Sequence, residues 1–234
     1  MFANSVEEFS TNLNAVRARI EAAARNVGRQ GSEIRLLPVS KTVPAARLRL
    51  AVAVGMGELA ENRVQEVVAK QAELADLGVR WCVIGHLQTN KVRDVAALAS
   101  EFHALDSLRL AEALERRLET VGRTLDVFLQ VNTSGEETKS GVAPADLPRL
   151  LDDVAALPHL NVRGLMTIAA NSQDEAQVRG NFVLLRSLQE AAVSAGHAGV
   201  RELSMGMSAD LEWAIAEGAT TVRVGRALFG ARPQ

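Results

Sequence analysis

An α/β chain closed into a (β/α)₈ barrel is the fold this sequence predicts, on three observations. Short apolar, β-prone runs alternate with helical stretches about eight times, polar or reactive residues collect at the ends of those runs, and 234 residues is close to an ordinary barrel length. The residues at the run ends are Lys41, Asn62, His86, Asp106, Asn132 and Ser204. Carboxyl ends of strands are where barrel active sites lie. A doubly wound open sheet is the alternative arrangement of the same units.

The first element is a helix. Ser5 with Glu8 three residues on makes a capping box, and Val6, Phe9, Leu13, Val16, Ile20 and Val27 then recur at three- and four-residue spacing up to Gly28. The stripe lasts only about three heptads, so its expected partner is its own domain and not a coiled-coil helix. Residues 1–30 are therefore an extra helix packed on the barrel, inside a single domain of 1–234. Next comes the strand over 34–42, IRLLPVSKT. Alternation puts Lys41 on the face of Val39 and Leu37, the one a closed barrel turns inward. An ammonium there must find an anion, or lose its proton and become a nucleophile.

Pro44 opens a helix that ends near Gly55 and Gly57. Further strands are expected over 58–62, 80–85, 101–106, 125–132, 160–168, 202–205 and 220–225, with helices over 64–77, 108–121, 144–157, 175–195 and 209–217. The polar loop 133–141, TSGEETKSG, reads as a lid or as a solvated connection.

Composition removes several function classes. A net charge of −2 and 3% aromatics give neither a basic footprint nor a stacking surface, so nucleic acid is not an expected partner. One cysteine, Cys82, allows no internal disulfide and no cysteine metal cluster. The amino-terminal residues MFANSVEE lack the basic and apolar regions of a signal peptide, and no apolar run is long enough to span a bilayer. The expected location is the cytoplasm.

Two late segments carry the chemistry. In SMGMSAD, 204–210, a strand turns into a helix with Ser208 expected as its N-cap and Gly206 allowing close backbone approach. Such a turn offers amides to an anion, in the loops where barrels often bind phosphate, unless Asp210 opposes it. By itself the segment reads first as an ordinary capped helix. In TTVRVGR, 220–226, alternation sets Val222 and Val224 on one face and Thr221, Arg223 and Gly225 on the other, so that Arg223 points into the barrel mouth. A buried guanidinium there wants a carboxylate or a ligand's acceptor atom.

An inward lysine on the first strand, an amide cradle after the seventh and an arginine on the eighth resemble the barrel proteins that hold pyridoxal phosphate. Among these the sequence is most similar to the pyridoxal-phosphate homeostasis family, formerly grouped as proline synthetase co-transcribed proteins. The similar segments are VSKT (39–42), ENRVQE (61–66), IGHLQTNK (84–91), KSG (139–141), RGLM (163–166), LSMGMS (203–208) and VRVG (222–225). They run from the first strand to the last. The resemblance implies a barrel like the alanine racemase N-terminal domain, the pyridoxal-phosphate fold type III. It implies that Lys41 is the Schiff-base lysine and that Ser208, with amides near Gly206, Met207, Gly225 and Arg226, holds the phosphate. Arg223 would face the pyridine nitrogen, and Asn62, His86 and Ser204 would line the pocket. The family commonly has a tyrosine where this chain has Arg63.

An arginine opposite the ring nitrogen discourages its protonation and weakens the ring as an electron sink. The racemases of this fold use a tyrosine as second base, and this chain contains no tyrosine. The expectation is a monomeric, non-catalytic carrier that holds pyridoxal 5′-phosphate covalently on Lys41 and supplies it to apoenzymes. The alternatives are a pyridoxal-phosphate amino-acid racemase, or other weak enzyme of that cofactor, and a barrel enzyme acting on a phosphorylated sugar.

Overall fold

The computed structural model describes residues 3–230. Met1, Phe2 and 231–234, which fall within the single domain expected over 1–234, lie outside the described residues.

Eight parallel strands form the sheet: β1 (Arg35–Pro38), β2 (Glu58–Glu61), β3 (Arg80–Val83), β4 (Ala99–Leu105), β5 (Leu125–Gln130), β6 (Leu160–Met166), β7 (Glu202–Ser204) and β8 (Thr221–Val224). Their order is β1-β8-β7-β6-β5-β4-β3-β2, and the ends of that row meet through a bridge between Val39 and Ala60. The sheet is a barrel, not the open doubly wound alternative. Each strand is shorter than or equal to its predicted run except β4, which starts two residues earlier, at Ala99. The first run, expected to reach Thr42, pairs as a strand only to Pro38 and hands Lys41 to a turn.

The helices are α1 (Val6–Asn26), α2 (Ala45–Ala53), α3 (Val64–Glu73), α4 (Val92–Leu98), α5 (Leu108–Val121), α6 (Leu147–Ala155), α7 (Glu175–Ser194), α8 (Leu211–Ala216) and α9 (Arg226–Phe229). The capping box at the start of α1 is complete, since the Glu8 amide donates to Ser5 Oγ and the Ser5 amide donates to Glu8 Oε2. The apolar stripe of α1, namely Phe9, Leu13, Val16 and Ile20, is buried against α8, α9 and α2. Phe9 meets Phe229 edge to face at 5.8 Å, Arg19 pairs with Glu212 at 2.7 Å, and Asn12 donates to the Leu228 carbonyl. Burying a side chain of this size stabilises by about 1.5–3 kcal/mol, so the stripe is spent within this chain.

Two cores result. The larger lies between the sheet and the helices, and a small one inside the barrel consists of Leu37, Val39, Ala60 and Cys82, with Ile84 against it. The inward direction of Leu37 and Val39 is therefore as the alternation predicted. No helix among the described residues is long and apolar enough to cross a membrane.

Candidate functional site

Around the small inner core the barrel interior is polar. At its amino-terminal end Arg35 donates to Glu58 Oε2 (3.0 Å) and Glu101 Oε2 (2.8 Å). His103 Nε2 lies 2.8 Å from the same Glu101 oxygen, and His103 Nδ1 lies 3.0 Å from Ser204 Oγ. Arg223 Nη1 donates to that hydroxyl at 2.9 Å. The chain of contacts fixes the tautomer. Ser204 Oγ already accepts from Arg223, so its own proton goes to Nδ1, and Nε2–H goes to Glu101. Burial holds the His103 pKa below its ordinary value, more strongly than Glu101 raises it, which agrees with a neutral ring. Burial alone would raise the Glu101 pKa, but hydrogen bonds from His103 and Arg35 outweigh it and hold the carboxyl at about 2. The ring of Phe128 lies over His103 at 4.0 Å.

Arg223 is 4% exposed and is fixed by neutral acceptors: Nη1 also donates to the Ser204 carbonyl (2.6 Å) and Nη2 to the Thr167 carbonyl (2.7 Å). It forms no ion pair among the described residues, so the structural salt bridge considered from the sequence is not its role here. Burial lowers its pKa to about 10, partly offset by the charge of Asp210. The guanidinium thus stays charged at neutral pH and keeps an electropositive edge inside the barrel.

β8 pairs with β1 in a register that sets Arg223 beside Leu37, and the Val39 amide donates to the Val224 carbonyl. Beyond that pair the β1 chain makes a tight turn, closed by Val43 N–H to the Ser40 carbonyl, with Lys41 and Thr42 as its central residues. Thr42 has φ 65°, the left-handed region that such a turn ordinarily gives to glycine. In a β-branched residue that conformation is a genuine outlier, costing about 1–3 kcal/mol. Lys41, half-buried, is carried at the tip of a strained turn.

The turn after β7 departs from its expected form. Asp210, not Ser208, is the N-cap of α8, and residues 208–210 are turn. The Asp210 carboxylate accepts the Met207 amide at 2.6 Å, so one of the amides expected for an anion is already engaged. Burial raises the Asp210 pKa, with the Met207 amide and Arg223 opposing. Ser208 gives its carbonyl to Arg19 (3.1 Å), while its hydroxyl makes no hydrogen bond among the described residues. Gly206 is required twice over: its φ is 89°, and a Cβ would lie 2.5 Å from Ala214 Cβ. A Cβ on Gly225 would stand 3.0 Å from the Val39 carbonyl. Gly225 caps α9, whose opening amides, starting at Arg226, have no acceptor within the helix.

The structure brings Ser204, Gly206, Arg223 and Gly225 together around β7 and β8. Ser204 is fully buried, with its hydroxyl committed to Arg223 and His103, and so lies beneath Arg223. Asn62 and His86 are brought to one another instead, in a cleft of about 590 Å³ on the β2–β3 side, lined also by Arg63, Glu66, Gln88 and Lys91. His86 lies 3.5 Å from Asp106 there. The 133–141 loop is folded back on the barrel. Asn132 holds Gly135 and Glu136, Lys139 donates to the Ala169 carbonyl, and Gln130 donates to the Ser140 carbonyl.

Sequence reasoning missed His103 and Glu101. Their spacing of two on one strand, which puts both on one face, was the available signal. Cys82 is buried, and burial pushes its thiol up to about 12, which makes it inert as a nucleophile.

Residues 11–233 match the family model described as alanine racemase, N-terminal domain. The pyridoxal phosphate homeostasis protein of Pseudomonas aeruginosa is 47% identical over 221 residues, 94% of each chain, and that of Aquifex aeolicus is 41% identical over 94% of this chain and 96% of its own. The solved structure of PipY from Synechococcus elongatus, with PLP bound, superposes with TM-score 0.84 at 37% identity, over 95% of this chain and all of that one.

Proposed function

This chain belongs to the pyridoxal phosphate homeostasis proteins of the alanine racemase N-terminal domain family, and on that premise we propose that it binds pyridoxal 5′-phosphate through Lys41 and buffers it for apoenzymes without amino-acid turnover. The observation that carries the reading is Arg223, a buried cation fixed by two carbonyls and a hydroxyl, on the strand next to the one that presents Lys41.

The residues fit such a cofactor. Lys41 supplies the amine for a reversible Schiff base with the aldehyde, which suits holding and release. The Ser208 hydroxyl and the backbone near Gly206, Gly225 and Arg226 are donors suited to a phosphate, while the Met207 amide is held by Asp210, and Gly206 keeps that turn open to close approach. Arg223 is suited to an unprotonated ring nitrogen because two positive groups would otherwise face each other. Ser204 serves by holding Arg223, and Asn62 and His86 line the neighbouring cleft. When bound, the cofactor supplies an electrophilic carbonyl and a ring that stabilises negative charge only when its nitrogen is protonated. The chain's own groups discourage that protonation, and it has no tyrosine to act as a second base. The proposed carrier is a cytoplasmic monomer and one domain over 1–234.

Borohydride reduction of the yellow, cofactor-loaded protein followed by peptide mass spectrometry should place the label on Lys41, and Lys41→Ala should lose the imine absorption while keeping its fold. A label on another lysine overturns the assignment. The racemase alternative is tested by solvent deuterium exchange at the α-carbon of common amino acids. Negligible exchange is expected, and stereospecific exchange lost in Lys41→Ala would make the protein a catalyst.

A further inference from the structure

Behind the Lys41 turn, on the outer side of the barrel, lies a buried cluster built from the ENRVQE segment and α3. Lys70 is 7% exposed and Glu61 is fully buried. The Lys70 ammonium has three donors and three acceptors: the Ser40 carbonyl at 3.0 Å, Glu61 Oε1 at 2.6 Å and Glu66 Oε2 at 2.9 Å. Two further bonds run from the carboxylates to the turn. Ser40 Oγ donates to Glu61 Oε1 at 2.6 Å, and the Thr42 amide donates to Glu66 Oε2 at 2.8 Å. The residues on either side of Lys41 are thus tied to one ammonium.

We propose that Lys70, acting through Glu61 and Glu66, is a positioning residue that holds the Lys41 turn in its strained form and so presents the Lys41 amine to the aldehyde. The inference rests on the carrier reading for its aldehyde and on the geometry alone for the turn. A left-handed threonine relaxes unless something outside the turn holds it. The bond from its amide to Glu66 is that restraint. Without Lys70, two carboxylates would share a buried corner in which Glu61 Oε2 already has no partner. Without its counter-ion Glu61, whose pKa burial already raises, takes a proton, while Glu66, the more exposed of the two, keeps its charge, loses the ammonium that holds it inward and swings to water, releasing Thr42.

The test uses Lys70→Met and Glu66→Ala, the second of which keeps the buried Lys70–Glu61 pair and hence the fold. In the cofactor-free protein, NMR should show the Thr42 amide exchanging about ten-fold faster in either variant, the change that goes with losing one hydrogen bond to a charged group. With pyridoxal 5′-phosphate added, imine formation at Lys41 should slow by a similar factor. Adding Thr42→Gly to Glu66→Ala should restore the imine rate while Thr42-site exchange stays fast, because glycine takes the left-handed φ unaided. A merely structural role for the cluster would not be rescued in this way. Wild-type exchange and imine rates in Glu66→Ala, or a double variant as slow as the single one, overturn the proposal. If the wild-type protein forms no imine at Lys41, the carrier reading fails, and the exchange measurement still decides whether the cluster holds the turn.

Discussion

Ser204 holds two groups with one hydroxyl: it accepts from Arg223 Nη1 and donates to His103 Nδ1, both in the dry interior. Ser204→Ala removes one partner from each. Because a buried polar group left unpaired costs about 1–3 kcal/mol, the variant should lose about that much stability in urea denaturation. Ser208→Ala should behave oppositely. Its hydroxyl neither caps α8 nor bonds elsewhere among the described residues, so stability should be unchanged. Retention of pyridoxal 5′-phosphate should weaken by about 1–2 kcal/mol, the scale of one bond to a charged group, with pyridoxal itself unaffected. Equal losses for both forms would remove Ser208 from the phosphate site.

The turn into α8 shows what a sequence can and cannot disclose about an element. Strands and long helices were legible because apolar alternation and three- and four-residue spacing are local, and α5 lies where its pattern put it, at Leu108–Val121. The cap of α8 was not legible. Serine and aspartate are both good N-caps, and the backbone spends residues 208–210 on a turn before the helix begins. No helix was expected between β3 and β4, where the seven residues of α4 are too few to show a period. The site was legible where it rests on strand alternation, as for Arg223. It was hidden where it rests on contacts between distant residues, as with His103 and Ser204, 101 positions apart. The corrected cap carries a consequence for binding. Asp210 keeps a carboxylate in the turn proposed for phosphate, and Asp210→Asn preserves an acceptor for the Met207 amide while removing the charge. Phosphate retention should then tighten by about 1 kcal/mol, roughly five-fold, in a titration at low salt.

Across the whole molecule, the barrel replaces part of the usual apolar filling with a polar column running from Arg35 and Glu58 through Glu101, His103 and Ser204 to Arg223. Such a column ties stability to pH. The Glu101 pKa is depressed to about 2 in the folded protein, below its unfolded value near 4.5, so its contribution is present above that unfolded value and is lost as pH falls toward 2. The shift corresponds to about 3 kcal/mol. His103 acts in the same direction from a higher starting point, since its pKa is depressed by burial and stability is lost as pH falls below the range where an unfolded histidine takes a proton. Glu61, raised by its burial, works the other way and gains when protonated. Urea denaturation across pH should therefore show stability falling first below the ordinary histidine range and more steeply below about pH 4.5. Glu101→Gln isolates the carboxylate. At neutral pH it should cost about 3 kcal/mol, since Arg35 and His103 both lose their charged partner. The difference from wild type should shrink as pH falls and nearly vanish around pH 2, where the wild-type carboxyl is itself half protonated. A gap that stayed constant down to that pH would mean that Glu101 acts through shape and not through charge.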